Sequence, residues 1–355
     1  MSPFFLAVIE GFYGRQWSWS ERRGYAQFLS DQGFEAYVYA PKGDSFLRSR
    51  WRETHPDEPW QQLLNLAAHY RQKGLRFGLG LSPLGLNHDY GAADRDALRV
   101  KVECINELKL DVLCILFDDA QADIDGLATR QLRIIEDISS QSNASQIIVC
   151  PSYYSFDPVL EQVFGTMPVN YLHELGRDLD PSYGVFWTGN KVVSSSYELE
   201  DIERASALLR RRPMLWDNYP VNDGRVTSNF LHLKAYSGRP WQLSAATAGH
   251  WVNPMNQAAL SQLVLPTLRD VYQLKAAYNS STAQQKSLAL ISDSQLRQQL
   301  LADIGSFQQF GLSGLGASEI IRLQGIYAHF DHPMAVEIYQ WLTGGYRFDP
   351  ACLTD

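Results

Sequence analysis

Long hydrophobic segments are absent from this sequence of 355 residues. No uninterrupted apolar run approaches the about 18–20 residues that a membrane-spanning helix requires. The first residues, MSPFFLAVIEGF, also lack the basic start and the long apolar stretch of a secretory signal peptide. We therefore expect a soluble protein with no membrane partner.

Paired cysteines and an excess of positive charge are also missing. The four cysteines form no CxxC motif, and three of them lie in apolar runs, where a thiol behaves as a small hydrophobic side chain. Because reduced thiols are typical of the cytoplasm, we expect a cytoplasmic protein. The net charge of -8 disfavours binding to polyanions, so no nucleic-acid partner is expected.

Motifs for metals, nucleotides and serine nucleophiles are not found either. The sequence has no HExxH motif, no pair of histidines at ligand spacing and no EF-hand loop. The stretch from Gly11 to Gly14 lacks the GxGxxG spacing and the lysine of a phosphate-binding loop, and no nucleophile elbow occurs. We therefore expect neither a metal nor a cofactor.

Aromatic residues, by contrast, are plentiful. They make up 12% of the chain, and several lie next to or near Gly, Asp or Asn residues, as Tyr13 beside Gly14, Trp216 beside Asp217 and Trp187 two residues before Gly189 do. Large rings beside turn residues suit a pocket that stacks on the flat apolar face of a sugar. Packing in the core is the alternative explanation for any single ring.

Short apolar runs that alternate with amphipathic stretches predict the fold. Runs that are apolar throughout are typical of strands buried on both faces, as in a parallel sheet. Eight such runs with helical patterns between them, over roughly 275 residues, fit a (β/α)8 TIM-type barrel, whose usual size is about 250 residues. The runs are residues 4–11, 36–40, 77–81, 112–117, 147–150, 184–187, 214–216 and 247–252.

Helical periodicity then places the helices of the barrel and of a smaller carboxy-terminal region. Barrel helices are predicted at residues 20–32, 60–71, 95–110, 128–139, 199–211 and 258–278, with one more at 228–236 before the eighth strand. A polar stretch at 279–286 is predicted to precede helices at 288–310, 317–329 and 335–342. The predicted domains are a catalytic barrel at residues 1–279 and a helical appendage at 280–355.

Acidic, amide, phenolic and basic side chains follow the ends of nearly all predicted strands. In a barrel of this kind, catalytic groups come from the loops after the strands. The residues at these positions are Gly11 to Arg15, Pro41-Lys42, Asp118-Asp119, Pro151 to Tyr154, Trp187 to Gly189, Trp216 to Asn218, and Asn253-Pro254. A barrel with only a structural role has no need of such convergence, so the sequence predicts an active site at this rim.

The pair Asp118-Asp119 is the most informative of these motifs. The apolar run at 112–117 leads directly into two carboxylates, and where a strand ends the backbone turns, so both side chains can reach one pocket. Two close carboxylates disfavour joint ionisation, which raises the pKa of one and provides an acid beside a base. In the structural alternative, Asp119 caps the next helix and Asp118 faces water.

In the order and spacing of its motifs, the chain resembles glycoside hydrolase family 84, the O-GlcNAcases and the bacterial β-N-acetylglucosaminidases that are often named hyaluronidases. The resemblance runs from Ile9 to about Asn256. Its motifs are Ile9 to Arg15, Tyr39 to Lys42, Leu116 to Asp119, Cys150-Pro151, Trp187 to Gly189, Trp216 to Asn218 with Asn222-Asp223, and Asn253 to Met255. The family's (β/α)8 barrel agrees with the strand count above.

The resemblance implies a retaining exo-β-N-acetylglucosaminidase that acts on terminal β-linked GlcNAc of O-GlcNAc-type glycoconjugates or glycoproteins. The substrate's acetamido group is the implied nucleophile, with an oxazoline intermediate. Asp118 matches the carboxylate that orients this group, and Asp119 matches the general acid and base. The implied substrate-binding residues are Asn218 and Tyr154 near the acetamido group, Gly11, Lys42, Asp223 and Asn253 at the sugar hydroxyls, and Trp216, Cys150 and Thr188 around the acetamido methyl.

Some residues beside the matched positions depart from the family's pattern. Gly43 and Tyr153 stand where acids are usual, and Gln16 and Asn190 stand where prolines are common. These departures bear on loop shape and leaving-group preference more than on reaction type. Two alternatives stay open, an endo-acting enzyme on hyaluronan or a chitin-like polymer and a GlcNAc-binding barrel without turnover. The two retained acids disfavour the second alternative, and the negative net charge disfavours hyaluronan as the substrate.

Overall fold

Residues 4–354 are described by a computed structural model, in which eight parallel strands close into a barrel. The strands follow one another around the barrel in chain order, and the first pairs with the last, as Leu6 does with His250. They are β1 (Leu6–Glu10), β2 (Ala36–Tyr39), β3 (Arg76–Leu81), β4 (Val112–Leu116), β5 (Gln146–Cys150), β6 (Gly184–Trp187), β7 (Met214–Asp217) and β8 (Gly249–Val252). Helices connect successive strands. The predicted (β/α)8 barrel is confirmed.

Burial on both faces explains why the strands are apolar throughout. Every residue of β1, β2, β4 and β8 is buried. Alternate side chains of such a strand point into the barrel and outward to the helices, so neither face meets water. Each of the eight predicted apolar runs overlaps one strand.

Nine helices lie between or directly after these strands within residues 4–354. They are α1 (Trp19–Asp31), α2 (Asp57–Gln72), α3 (Ala92–Asn106), α4 (Leu127–Ser139), α5 (Val159–Phe164), α6 (Tyr171–Asp178), α7 (Leu199–Leu209), α8 (Leu243–Ala246) and α9 (Ala258–Leu274). A capping box starts α1, where the Glu21 amide donates to the Ser18 hydroxyl at 3.2 Å and the Ser18 amide donates to the Glu21 carboxylate at 2.6 Å. In the described part of the chain, no helix is both long and apolar enough to cross a bilayer.

The helix predicted at residues 228–236 does not form. The structure has a single 3₁₀ turn at Thr227–Asn229, followed by irregular chain up to α8. The backbone amides of Lys234 and Ala235 donate to the side chains of Gln308 and Gln284, at 2.7 and 2.6 Å. These glutamines belong to the carboxy-terminal region, so tertiary hydrogen bonds replace the local bonds that a helix would make.

The carboxy-terminal region is helical, as predicted. Its helices are α10 (Ser280–Leu288), α11 (Ser294–Gln309), α12 (Gly311–Leu315), α13 (Ala317–Tyr327) and α14 (Pro333–Leu342). The polar stretch at 279–286 is not a linker, because α10 begins there and the Thr282 amide donates to the Asn279 cap at 3.0 Å. The predicted helix at 288–310 is interrupted before α11, which Asp293 caps. Both α10 and α14 pack against α9, and the domain boundary at 279/280 stays a prediction.

The buried carboxylate of Glu337 joins α14 to the start of α9. It accepts hydrogen bonds from the backbone amides of Ala259 and Leu260 at 2.9 and 2.8 Å. These amides have no partner within their own helix, because they lie in its first turn. Burial raises the pKa of Glu337 to about 8, although the two hydrogen bonds oppose the rise.

Replacing Glu337 with glutamine is expected to flatten the dependence of stability on pH. Because the folded-state pKa is raised, the folded protein binds the proton more tightly than the unfolded chain, whose glutamates titrate near pH 4.5. The wild-type free energy of unfolding should therefore fall as pH rises from about 5 to 8, by at most about 1.4 kcal/mol per pH unit from this group. Glu337→Gln removes this contribution, which urea unfolding at several pH values would measure.

Glu319→Gln on the exposed face of α13 provides the control, because that carboxylate pairs with Arg322 in water. A plot of its free energy of unfolding against pH should run parallel to the wild-type plot between pH 5 and 8. A parallel curve for Glu337→Gln as well would contradict the prediction.

Candidate active site

The loops after the barrel strands enclose one pocket. All eleven site residues predicted from the sequence line it, namely Gly11, Lys42, Asp118, Asp119, Cys150, Tyr154, Thr188, Trp216, Asn218, Asp223 and Asn253. Six further residues also line it, namely Tyr13, Val192, Val193, Val221, Cys352 and Thr354. The structure therefore brings together residues that lie up to 343 positions apart in the sequence, as Gly11 and Thr354 do.

At the centre of the pocket, Lys42 lies against the acid pair. Asp118 and Asp119 follow the end of β4, and Lys42 lies in the loop after β2. The Lys42 ammonium donates to Oδ2 of Asp118 and lies 3.0 Å from Oδ2 of Asp119. All three side chains are less than a tenth exposed. Burial alone would lower the pKa of Lys42, but the two carboxylates raise it above its usual value.

One oxygen of Asp118 has no protein partner. Its Oδ2 accepts from Lys42, whereas its Oδ1 is buried and accepts no hydrogen bond from any residue in 4–354. A buried carboxylate oxygen without a donor is costly, and in a pocket such an atom indicates a place for a ligand N–H or O–H. The structural alternative, in which Asp118 faces water, does not describe this geometry.

Asp119 lies among donors. Its backbone has a φ of 57°, a left-handed conformation that is uncommon for a residue other than glycine. Its Oδ2 accepts from the Tyr13 hydroxyl at 2.7 Å, and its Oδ1 lies 3.4 Å from the Tyr154 hydroxyl. Burial would raise the pKa of Asp119, but the positive charges of Lys42 and Arg48, with the Tyr13 hydrogen bond, lower it overall.

An amide network forms the wall contributed by β1, β7 and β8. The Gly11 amide donates to Oδ1 of Asn253 at 3.1 Å, and Nδ2 of Asn253 donates to Oδ1 of Asn218 at 3.0 Å. The Trp216 indole also donates to this Asn218 oxygen at 3.0 Å, while Asn218 itself donates to the Val192 carbonyl. A Cβ at Gly11 would lie 2.4 Å from the Trp216 ring, so only glycine allows the indole to lie flat against this loop.

Asp223 also contacts the loop after β1. Its Oδ2 accepts a hydrogen bond from the Tyr13 amide at 2.7 Å. Burial raises the pKa of Asp223 to about 6, although this backbone hydrogen bond and Lys42 oppose the rise. A carboxyl group with this pKa is able either to donate to or to accept from a ligand hydroxyl near neutral pH.

Cys150, Thr188 and Trp216 form the apolar part of the wall. Cys150 ends β5, and the Thr188 amide donates to the Tyr154 carbonyl at 2.9 Å, which holds the loops after β5 and β6 together. The Trp216 ring packs edge-on against Phe186 of β6. Burial raises the pKa of the Cys150 thiol well above its usual value, so the sulfur is neutral and suits an apolar group.

The four departures from the family's pattern lie outside the pocket lining. Gly43 contacts Gln16, since a Cβ at Gly43 would lie 2.9 Å from the Gln16 amide nitrogen. These two departures thus fit each other, because the Gln16 side chain fills the space that the missing side chain of Gly43 leaves. Tyr153 donates to the Gly165 carbonyl at 2.7 Å, and Asn190 donates to Asp201. All four act on the loops that hold the site.

Tyr13 is predicted at the rim as part of the stretch from Gly11 to Arg15, but the sequence predicts no individual role for it in the site. Its ring lies beside Lys42, its hydroxyl donates to Asp119, and Arg48 donates to that hydroxyl at 3.1 Å. Its position directly after the first strand was the available signal. Within residues 4–354, no group of three or more His, Cys, Asp or Glu side chains is arranged to hold a metal ion.

Solved structures of known proteins share this architecture. A solved O-GlcNAc hydrolase mutant of Thermobaculum terrenum is 28% identical with a TM-score of 0.78, covering 95% of this chain and 80% of that one. The structure of CpGH84B, at 22% identity and a TM-score of 0.75 over 95% of this chain and 66% of that one, shows the shared fold.

Two curated proteins are also similar to this chain in sequence. The protein O-GlcNAcases of Rattus norvegicus and Mus musculus are each 29% identical over 280 residues, or 76% of this chain. The alignment covers 30% of each of them, so the chain matches less than a third of these relatives' length. The sequence model of the β-N-acetylglucosaminidase family matches residues 6–303, which include all eight strands and every predicted site residue. The chain therefore belongs to the β-N-acetylglucosaminidase family, the glycoside hydrolases of family 84.

Proposed function

We propose that this protein is a retaining exo-β-N-acetylglucosaminidase that releases terminal β-linked GlcNAc from O-GlcNAc-type glycoconjugates. Family membership supports a GlcNAc-bearing substrate. The pocket supports a mechanism in which the substrate's acetamido oxygen is the nucleophile, because the two acids are neighbours on one strand end instead of facing each other across the sugar.

The observation that carries this proposal is the unpartnered Oδ1 of Asp118. Asp118 lines the pocket together with Cys150 and Tyr154, and its buried Oδ1 has no donor among residues 4–354. An acetamido N–H would supply the missing donor, and the bond would turn the carbonyl oxygen of the same group toward C1. A sugar without the 2-acetamido group would leave the oxygen unsatisfied, which selects against plain glucosides.

The reaction proceeds in two steps that exchange one bond each. In the first, the acetamido oxygen forms a bond to C1, the glycosidic C1–O bond breaks, Asp119 gives its proton to the departing oxygen, and Asp118 takes the acetamido N–H proton. In the second, Asp119 takes a proton from water, whose oxygen bonds C1 and breaks the C1–O bond of the oxazoline, and Asp118 returns its proton to the nitrogen. Two inversions at C1 retain the β configuration. A nucleophile held within the substrate is worth up to about 7–11 kcal/mol in well-oriented systems.

Lys42 links sugar binding to the protonation of Asp119. In the ligand-free structure its ammonium contacts both acids and, with Arg48, keeps the pKa of Asp119 low. A general acid must carry a proton at the start of the reaction. A sugar hydroxyl that binds Lys42 draws the ammonium away from Asp119, so the pKa of the acid rises when the substrate is in place.

The polar wall of the pocket supports removal of terminal sugars over cleavage within a polymer. The loops after β1 and β8 and the loop that carries Asp223 contribute to this wall, and we expect Asp223 and Asn253 to bind the hydroxyls of a terminal ring. An endo-acting enzyme needs an open cleft for residues on both sides of the scissile bond. Product analysis on a defined chitooligosaccharide separates the two modes.

A cytoplasmic location is part of the proposal and is supported by the free thiols of Cys104, Cys114 and Cys150.

Asp118→Asn is expected to lower kcat/KM for 4-nitrophenyl β-GlcNAc by about 10²–10³-fold, as the loss of one oriented polar contact to a reacting group does elsewhere. The asparagine amide can present an N–H where the acetamido N–H requires an acceptor. The measurement is steady-state hydrolysis of the β-GlcNAc and β-glucose aryl glycosides by both proteins. The wild type should cleave the first, be inhibited competitively by a GlcNAc thiazoline, and leave the second almost untouched.

Asp125→Asn is the matched control, because Asp125 is an exposed carboxylate seven residues further along the same loop. It should leave kcat/KM unchanged. NMR of the first product formed should show β-GlcNAc. Wild-type protein that cleaves both glycosides equally, or that releases α-GlcNAc first, would overturn the proposed mechanism.

A further inference from the structure

The end of the carboxy-terminal region, residues 346–354, reaches into the active-site pocket. Cys352 and Thr354 both line the pocket, and the Thr354 side chain lies near the Tyr154 phenol. That phenol also lies 3.4 Å from Oδ1 of Asp119. The segment therefore lies beside a phenol that the family resemblance places near the acetamido group, close to the proposed general acid.

With this segment in place, the pocket is too small for the proposed substrate. The cavity has a volume of about 50 Å³, enough for about four water molecules. An N-acetylhexosamine ring has several times as many non-hydrogen atoms. Some part of the wall must therefore move before the sugar binds.

The barrel loops are poor candidates for this movement. They are joined to one another by hydrogen bonds within the barrel, such as that from the Thr188 amide to the Tyr154 carbonyl at 2.9 Å and that from Asn253 to Asn218 at 3.0 Å. Moving them would break the geometry that places the acid pair.

Residues 346–354 are attached differently. The Tyr346 ring lies under the guanidinium of Arg15 at 4.6 Å, and the Phe348 ring lies under that of Arg225 at 4.9 Å. Tyr346 is buried at the edge of the hydrophobic core and holds the start of the segment, whereas Phe348 is only half-buried and Arg225 is exposed, so the ring contact at Phe348 is weak and easily exchanged for water. The segment's own turn, with the Cys352 amide donating to the Asp349 carbonyl at 2.9 Å, can move with it as a unit.

We propose that residues 346–354 form a strap that closes the active-site pocket and that the incoming sugar displaces. The proposal rests on the function proposed above. The strap hides Tyr154 and Asp119 when no substrate is present, and part of the binding energy of each sugar is used to open it. The apparent affinity for a substrate is then reduced by the fraction of molecules that are closed.

A chain that ends at Gly345 tests the strap. We expect its kcat/KM for 4-nitrophenyl β-GlcNAc to rise, by roughly tenfold if the closed form predominates by that factor. The double variant Tyr346→Ala/Phe348→Ala keeps the full chain and should give a rise in the same direction. Circular dichroism establishes which of the two is folded. An unchanged or lower kcat/KM in a folded variant would overturn the strap.

Leu353→Ala is the control, because this side chain is 56% exposed within the same segment. It should behave as the wild type does. Hydrogen exchange gives a readout without turnover, since a bound GlcNAc thiazoline should increase exchange of the amides in 346–354. Lower or equal exchange would contradict the strap while hydrolysis by the wild type stands. Absence of both hydrolysis and thiazoline binding would overturn the strap and the proposed function together.

Discussion

Asp119→Ala is expected to slow cleavage of β-GlcNAc from a poor leaving group by about 10²–10⁴-fold, and to slow release of a dinitrophenol far less. A strongly acidic phenol leaves as its anion without needing a proton, whereas an alkyl or amino-acid hydroxyl does not. The measurement is kcat/KM for a series of aryl β-GlcNAc substrates, plotted against the pKa of the phenol. The plot for the variant should be much steeper than that for the wild type.

Two comparisons make this test specific for the general acid. Asp118→Asn should slow the whole series alike, because it affects attack by the acetamido oxygen instead of departure of the phenol. Tyr13→Phe removes the hydroxyl that donates to Asp119 at 2.7 Å but leaves the carboxyl in place, so its plot should keep the wild-type slope. If Asp119→Ala damages all substrates equally, the two acids do not have the roles assigned to them.

The barrel and its rim could be predicted from the sequence because both depend on the pattern of apolar and polar residues within short stretches of the chain. A strand buried on two faces needs an apolar run, and the polar residue that ends the run marks the rim. β4 and Asp118-Asp119 illustrate this, since the run and the acids are contiguous. The helix predicted at residues 228–236 fails for the complementary reason, because side chains more than 45 residues away, Gln284 and Gln308, satisfy its amides.

Some contacts of the site could not be predicted from the sequence, because they join residues that lie far apart along the chain. Tyr13 reaches Asp119 across 106 positions, and nothing in the local sequence of either residue records this contact. Cys352 and Thr354 come from a segment after α14, in a region where no strand end or motif marks a functional residue. Tertiary structure alone brings them to the pocket. Roles that depend on such contacts therefore needed the coordinates.

Arg239→Met is expected to destabilise the fold by about 3–5 kcal/mol, the usual effect of removing one partner of a buried ion pair. Arg239 donates to both oxygens of Asp217 at 2.9 and 2.8 Å, and to the carbonyls of Ser194 and Ser195. Asp217, at the end of β7, is fully buried and, of the side-chain and backbone donors in residues 4–354, would keep only His250 and the Tyr219 amide. Urea unfolding followed by fluorescence at pH 7 measures the loss.

The double variant Asp217→Asn/Arg239→Met separates the ion pair from the packing around it. It should be less destabilised than the sum of the two single variants, by about 1 kcal/mol or more, since it leaves no buried charge unpaired. Arg177→Met, which breaks the exposed pair with Asp178, should change stability little. Additive effects of the two buried substitutions would contradict the coupling.

The ion pair between Asp217 and Arg239 should also affect how stability depends on pH in acid. Burial would raise the pKa of Asp217, but Arg239 and His250 lower it to about 2. The unfolded chain takes up this proton near pH 3.8, so the stability that Asp217 contributes is complete above about pH 4 and is lost as pH falls toward 2. Without Arg239 the folded-state pKa rises, and the acid-induced loss in Arg239→Met should be smaller than in the wild type. Asn218 follows Asp217 directly and accepts from Trp216 and Asn253, so any folded fraction of the variant should also show a weakened kcat/KM.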